Sequence, residues 1–191
     1  FVPGPEIINA KDFGVPQNRE RIYIVGFRND LGIKNFSYPK PFERKVSFAE
    51  VKEENVVSTK YYLSTQYLIT LRNHKERHQS KGNGFGYNII KDEEIAGAVV
   101  CGGMGRERNL VYDYRITDFT PITKIKGVVN REGIRKMTPR EWARLQGFPD
   151  NYVIPVADAS AYKQFGNSVA VPAIQATANE ILKKLNYVKR Q

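Results

Sequence analysis

Cysteine occurs once in this chain, at Cys101, so no disulfide can form within it, and a reducing compartment is the expected setting. Histidine occurs twice. His74 and His78 stand four residues apart, but no cysteine or carboxylate cluster completes a metal-ligand set around them. They read as a solvated helix face, and no metal is expected. No apolar run approaches the roughly 20 residues that a membrane span needs. The start, Phe1-Val2-Pro3-Gly4-Pro5, carries neither an initiator methionine nor a basic-then-apolar signal pattern, and it reads as the cut start of a longer chain. Internal repeats and low-complexity tracts are absent. Acidic residues are in deficit, 20 against 30 Lys and Arg, which leaves a net charge of +10. That charge suits a polyanion such as nucleic acid, although a plain basic protein carries it equally well.

What is present divides into three segments. The 191 residues are enough for one domain or two small ones, and 41% hydrophobic residues allow a packed core. Residues 1–37 read as strand, turn, strand. Arg21 to Phe27 is so rich in β-branched and aromatic residues that the pattern predicts a strand covered on both faces. Two strands cannot form a stable domain alone, so this piece requires further sheet partners. Ser37-Tyr38-Pro39-Lys40-Pro41-Phe42 reads as a linker across a boundary. Residues 38–155 then mix a helix over about 61–75 with short strands and glycine-rich loops between Lys81 and Asp113.

The third segment and its approach carry the clearest local signals. Thr138-Pro139-Arg140-Glu141 predicts a helix start: an N-cap threonine, proline at the first position and a capping-box glutamate. Met137 and Trp142 stand where a hydrophobic staple would place them, and Gly147 stands where the helix should stop. Val171 to Leu185 predicts an amphipathic helix with Val171, Ile174, Ala178, Ile181, Leu182 and Leu185 on its apolar face. Just before it, Asn167 and Ser168 offer either an ordinary N-cap or free backbone donors for a ligand. At the other end of the chain, Gln17-Asn18-Arg19-Glu20-Arg21 crowds two arginines at a strand start. Taken alone that is ordinary strand-end charge, but a buried arginine there would need partners.

Taken together and in order, these stretches resemble the C-terminal half of bacterial cytosine-5 DNA methyltransferases. Gln17, Arg19 and Arg21 match a Gln-x-Arg-x-Arg signature. Arg135 to Phe148 matches Arg-x-x-Thr-Pro-Arg-Glu-x-Ala-Arg-Leu-x-Gly-Phe, and Gln164 to Val169 matches Gln-x-Gly-Asn-Ser-Val. The resemblance implies an α/β fold. It would be the C-terminal part of an S-adenosylmethionine-dependent, Rossmann-like sheet, incomplete here, plus a smaller β-rich target-recognition domain. Residues 1–37 and 156–191 would belong with the large domain and 38–155 with the small one. Arg21 is then expected to hydrogen-bond a flipped cytosine, and Arg19 to order the active site. Asn167, Ser168 and Val169 would line the S-adenosylmethionine pocket. The Arg135 to Asp150 stretch would organise the small domain. Double-stranded DNA is the implied partner, a restriction-modification system the implied setting and the bacterial cytoplasm the implied location.

The same resemblance defines what is missing. The family's reaction needs a cysteine in a Pro-Cys context, a Glu-Asn-Val segment and a Phe-x-Gly-x-Gly cofactor loop. Cys101 follows Val100 and precedes Gly102, in the recognition segment, so it reads as a small apolar residue or a loop thiol. The chain alone is therefore expected to be inactive and to work with an N-terminal catalytic portion, on the same or a separate chain. The alternative is a DNA-binding specificity module without catalysis. For base reading, the glycine-rich stretches 81–87 and 102–109 are the candidates, with Asn83, Arg106, Arg108 and Asn109 as DNA contacts. Arginines there read guanine edges or touch only phosphates. Both stretches are similar to those of family members whose sites are palindromes that begin CC and end GG.

Overall fold

The computed structural model describes residues 1–84, 86–102, 105–121 and 127–188. Phe85, Gly103 and Met104, which belong to the two glycine-rich stretches, lie outside the described residues. Strand β1 (Glu6–Asn9) pairs antiparallel with β3 (Glu20–Tyr23). The two-residue β2 (Gln17–Asn18) runs parallel to β5 (Ala96–Gly97). β4 (Asn88–Ile90), β6 (Asn109–Tyr112) and β7 (Ile134–Lys136) form a three-stranded sheet in the order β4-β6-β7. The helices are α1 (Thr65–Gln79), α2 (Pro139–Leu145), α3 (Asp158–Asn167) and α4 (Val171–Val188). Among the described residues no helix is long and apolar enough to cross a membrane. The strands of the middle segment are two to four residues long, so it is less β-rich than expected. Glycine, proline and Asp-rich loops interrupt every extended run there.

Differences from the sequence pattern have local causes. The helix expected over 61–75 starts at Thr65, because Ser64 accepts from the Tyr67 amide and so caps it. Strand β3 is not covered on both faces. Ile8 lies against Ala170, Ala173 and Ala176 at the start of α4. On the other face Ile7 and Ile22 are register partners and are 64% and 67% exposed, and Ile24 beyond them is 74% exposed. The apolar face of α4 is also turned from the expected one. Ala173, Ala176 and Thr177 are buried, with Ile181 and Leu185 packed below them, whereas Ile174 and Leu182 are exposed. Alanine on the inner side lets the helix lie close to the turn after β1. The linker is docked: Tyr38 donates to the Tyr23 carbonyl, and Phe42 sets its ring edge-on to Phe13.

Helix α3 was not separated from α4 by the sequence pattern. Its buried residues Ala161, Tyr162 and Phe165 share a core with Trp142 and Leu145 of α2 and with Met137, Val99 and Phe48. This core begins ahead of the boundary expected at residue 156 and continues past it. The capping box forms as the spacing predicts: the Glu141 amide donates to Thr138 Oγ1 and the Thr138 amide donates to Glu141 Oε2. Met137 and Trp142 are both buried in that core.

Glu141 does more than cap. Its carboxylate receives a two-pronged ion pair from Arg135 at 2.8 and 2.7 Å, and Arg135 also donates to Asp113 at 2.9 Å. All three side chains are at most 1% exposed. A planar fork matched to one carboxylate, with a further bond to a second, is the geometry that makes burying arginine tolerable. Burial pushes the Asp113 carboxyl up, but hydrogen bonds from Arg115 and Arg135 outweigh it and hold the group well below the usual carboxylate range. Removing one partner strands a buried charge, so Glu141→Ala should cost about 3–5 kcal/mol in a thermal or denaturant melt. Asp150→Ala, which breaks only the exposed pair with Arg144, should cost about 1 kcal/mol or less. For Asp113 the folded pKa is depressed. Its contribution to stability is therefore full above the unfolded carboxylate pKa and should be lost progressively below about pH 4.

Candidate functional site

The site is built around side chains that β2 delivers into the interior. Parallel pairing of β2 with β5 sets Gln17 opposite Ala96, and the chain leaves β5 along residues 98–102. Gln17 is fully buried. Its Oε1 accepts from the Val99 amide at 3.0 Å, and its Nε2 donates to the Leu145 carbonyl at 2.8 Å and to Gln146 Oε1 at 3.3 Å. Gln146, also fully buried, donates to the Phe165 carbonyl at 2.7 Å, and its own carbonyl accepts from the Val171 amide at 2.8 Å. Arg19, two residues past Gln17, donates to the Val99 carbonyl at 2.6 Å and to the Gly166 and Ser168 carbonyls at 3.2 and 2.7 Å. These three side chains thus join four stretches of chain: 17–19, 99, 145–146 and 165–171.

Arg19 is 4% exposed. Burial, and after it the neighbouring Arg21, pushes its pKa down to about 10, so it stays charged at neutral pH. The three carbonyls satisfy most of the fork, and Nε has no partner among the described residues. Gly166 allows the close approach: a Cβ there would stand 2.6 Å from the Cys101 backbone nitrogen. Arg21, by contrast, is exposed and donates to the Glu20 carbonyl. The expected roles therefore fall on differently placed groups, Arg19 inside the frame and Arg21 on its surface.

Asn167 and Ser168 end α3 rather than cap α4. Ser168 is the C-cap residue, Asn167 and Val169 are exposed, and Arg19 holds the turn from behind. Cys101, an exposed thiol on the loop after β5, donates to Asn167 Oδ1 at 2.6 Å. The turn therefore presents a side-chain amide, a hydroxyl and an apolar surface outward on a fixed backbone. That combination suits a ligand with both polar and apolar parts.

The expected DNA contacts are placed unequally. Arg106 and Arg108 are exposed on the segment leading into β6, with Arg106 5.8 Å from the Tyr162 ring centre. Asn83 is exposed in the turn after α1. Asn109 is not presented to a ligand. It is 2% exposed, and its amide is spent on both backbone groups of Gly97, at 3.0 and 3.1 Å. It joins β6 to β5. Between α1 and the glycine-rich loops lies a cleft of about 430 Å³ lined by His74, His78, Tyr87, Glu107 and Arg108 together with Gly86, Gly102 and Gly105. The histidine pair, read from spacing as a solvated face, forms one wall of it. Among the described residues there is no group of three His, Cys, Asp or Glu that could hold a metal ion.

Sequence reasoning missed Gln146, which occupies an unspecified position of the Arg135 to Phe148 signature. An amide at the end of a short, otherwise buried helix is the signal that could have found it.

With this geometry the chain can be set among known proteins. The family model of C-5 cytosine-specific DNA methylases matches residues 2–183, and the chain belongs to that family. It is 76% identical over 185 residues to the Type II methyltransferase M.HpaII of Haemophilus parainfluenzae, covering 97% of this chain and 52% of that protein. It is 33% identical over 189 residues to the Type II methyltransferase M.HhaI of Haemophilus parahaemolyticus, covering 95% of this chain and 54% of that protein. The solved structure of S. pombe Dnmt2 methyltransferase matches with a TM-score of 0.62 at 17% identity, covering 95% of this chain and 57% of that one, which shows the fold alone. The chain spans about half the length of these relatives.

The frame makes a stability prediction that separates the two arginines. Arg19→Ala takes the guanidinium donor from three inward carbonyls, of which Ser168 keeps a long bond from Gln146, and should cost about 3 kcal/mol or more in a denaturant melt. Arg21→Ala removes an exposed side chain and should stay within about 0.5 kcal/mol of the parent. Equal effects would mean that Arg19 does not clamp the frame.

Proposed function

We propose that this chain is the DNA-reading and pocket-completing half of a cytosine-5 DNA methyltransferase of the restriction-modification type, acting on a cytosine extruded from a specific duplex site. The observation that carries the reading is the buried frame: one guanidinium, Arg19, holds both the loop at Val99 and the turn at Ser168. A cofactor-facing turn and the approach to a DNA-reading loop are thereby fixed in one unit. S-adenosylmethionine supplies the methyl group when bound. Asn167, Ser168 and Val169 are the residues here that would contact it, with Arg19 keeping their backbone in place. Arg21, exposed beside that frame, is the donor for the extruded base. Residues 1–37 and 156–191 would belong with the cofactor-binding sheet and 38–155 with target recognition.

The nucleophilic thiol and the rest of the cofactor site come, on this reading, from a catalytic portion outside these 191 residues. The uncovered face of β1 and β3 is where that portion would pack, since each isoleucine buried there would contribute about 1.5–3 kcal/mol. That face also argues against a DNA-binding module without catalysis, which has no use for it. Alone, the chain should not transfer methyl groups. Mixed with a polypeptide that carries the cofactor loop and the Pro-Cys segment, it should transfer them from S-adenosylmethionine to duplex DNA. A well-folded mixture that stays inactive would sink the proposal.

Site selection is assigned to Arg106 and Arg108, each able to pair with a guanine edge for about 1–3 kcal/mol of discrimination, and to Asn83 in the facing turn. A palindrome that begins CC and ends GG is the site to try first. Arg106→Ala and Arg108→Ala should weaken binding to that site more than binding to unrelated duplex. Equal loss on both would mark them as phosphate contacts.

A further inference from the structure

The cleft between α1 and the glycine-rich loops has a wall that the reading above does not use. His74 and His78 lie one turn apart with ring centres 4.4 Å apart, and both face the cleft that Arg108 lines from the opposite side. Its volume of about 430 Å³ is far more than the share of about 30 Å³ that one water takes in the liquid. Among the described residues, Gly86, Gly102 and Gly105 of the facing loops line it together with Tyr87, Glu107 and Arg108.

The charge of this cleft depends on the imidazoles. With both neutral, the described lining carries one cation, Arg108, against one carboxylate, Glu107. Lys75 is turned to the Tyr87 carbonyl at 3.0 Å. Protonating either ring makes the lining positive. Desolvation first, then His74, Arg77 and Lys81, hold the pKa of His78 below the ordinary histidine value. That direction favours the neutral form of His78 while the cleft is empty. A dianionic or monoanionic oxygen ligand entering it would reverse that balance.

We propose that His74 and His78, beside the base-reading Arg108, form a contact site for a backbone phosphate of the bound duplex, and that one proton is taken up as the phosphate arrives. The proposal rests on the DNA-reading role given to the adjoining loops. It differs from a base contact in its consequence. A phosphate contact tightens binding to every duplex sequence alike. Because the complex holds more protons than the free chain, affinity must rise as pH falls through the imidazole range. Each pKa unit by which the phosphate raises a ring corresponds to about a tenfold gain.

The test is fluorescence anisotropy of the chain on a CC…GG duplex and on an unrelated duplex between pH 8 and pH 6, at two or more salt concentrations. For the parent, affinity for both duplexes should rise about tenfold more over this range than for His74→Ala/His78→Ala. The salt slope at pH 6 should be steeper than at pH 8 by about 0.9 per phosphate gained. His74→Gln/His78→Gln, which keeps polar side chains of similar reach, provides a second variant where the alanine pair melts early, and it too should lose the pH dependence. Parent and variant with the same pH profile would overturn the phosphate site while leaving the recognition reading intact, as would a flat profile in the parent. A parent that binds no duplex at any pH would overturn the recognition reading and this site with it.

Discussion

A guanidinium removed from water has to find oxygen acceptors, and Arg19 finds them on stretches of chain that are distant in sequence. Its partners are the carbonyls of Val99, Gly166 and Ser168, about 80 and 150 residues away. Gln17 and Gln146 complete the arrangement by satisfying each other and the backbone between them. Amides and a guanidinium are suited to this, since they offer several directed donors on a short, stiff head. The consequence is geometric. The turn bearing Asn167, Ser168 and Val169, the loop bearing Cys101 and the start of α4 cannot move independently while these bonds hold.

A second ionic centre supports the middle of the chain and is separate from the first. Arg135, Asp113 and Glu141 tie β7, the end of β6 and the start of α2 together around the core that contains Trp142. Glu141 serves both as helix cap and as counter-ion, and it also accepts from the Glu53 amide. The Arg135 to Phe148 stretch therefore acts through packing and charge pairing, whereas the Gln17 to Arg21 stretch reaches from the buried frame to the surface at Arg21. The exposed arginines 106 and 108 stand on the segment that leads into β6, so the DNA-reading side chains proposed here are anchored to a sheet and a core rather than to a free loop.

Local chemistry was legible in the sequence where a residue type has one strong use. The capping box at Thr138 and Glu141 and the buried pair Met137 and Trp142 follow from spacing alone. The segment order and the separation of Arg19 from an ordinary strand-end charge depended on the family resemblance, because nothing within a pentapeptide reveals which carbonyls will be 80 residues away. The turned face of α4 was not legible. Its pattern offers two apolar stripes, and the alanine stripe wins where close approach to β1 matters more than side-chain bulk. Asn109 was misplaced for a similar reason: an asparagine at the start of a strand suits a ligand or a neighbouring backbone equally, and only the pairing with Gly97 decides. The uncovered isoleucines of β1 and β3 read as buried because the pattern describes the surface they are made for, not the one they have within these residues.

The central claim is that one buried polar frame makes the loop at Val99 and the turn before α4 a single unit. Amide hydrogen exchange tests it directly, because the Val99 amide donates to Gln17 and the Val171 amide to Gln146. In Gln17→Leu, protection at Val99 and at Val171 should fall together and by similar factors, although only the first amide loses its own acceptor. Loss of protection confined to Val99, with Val171 exchanging as in the parent, would show that the two segments are held separately and would contradict the account.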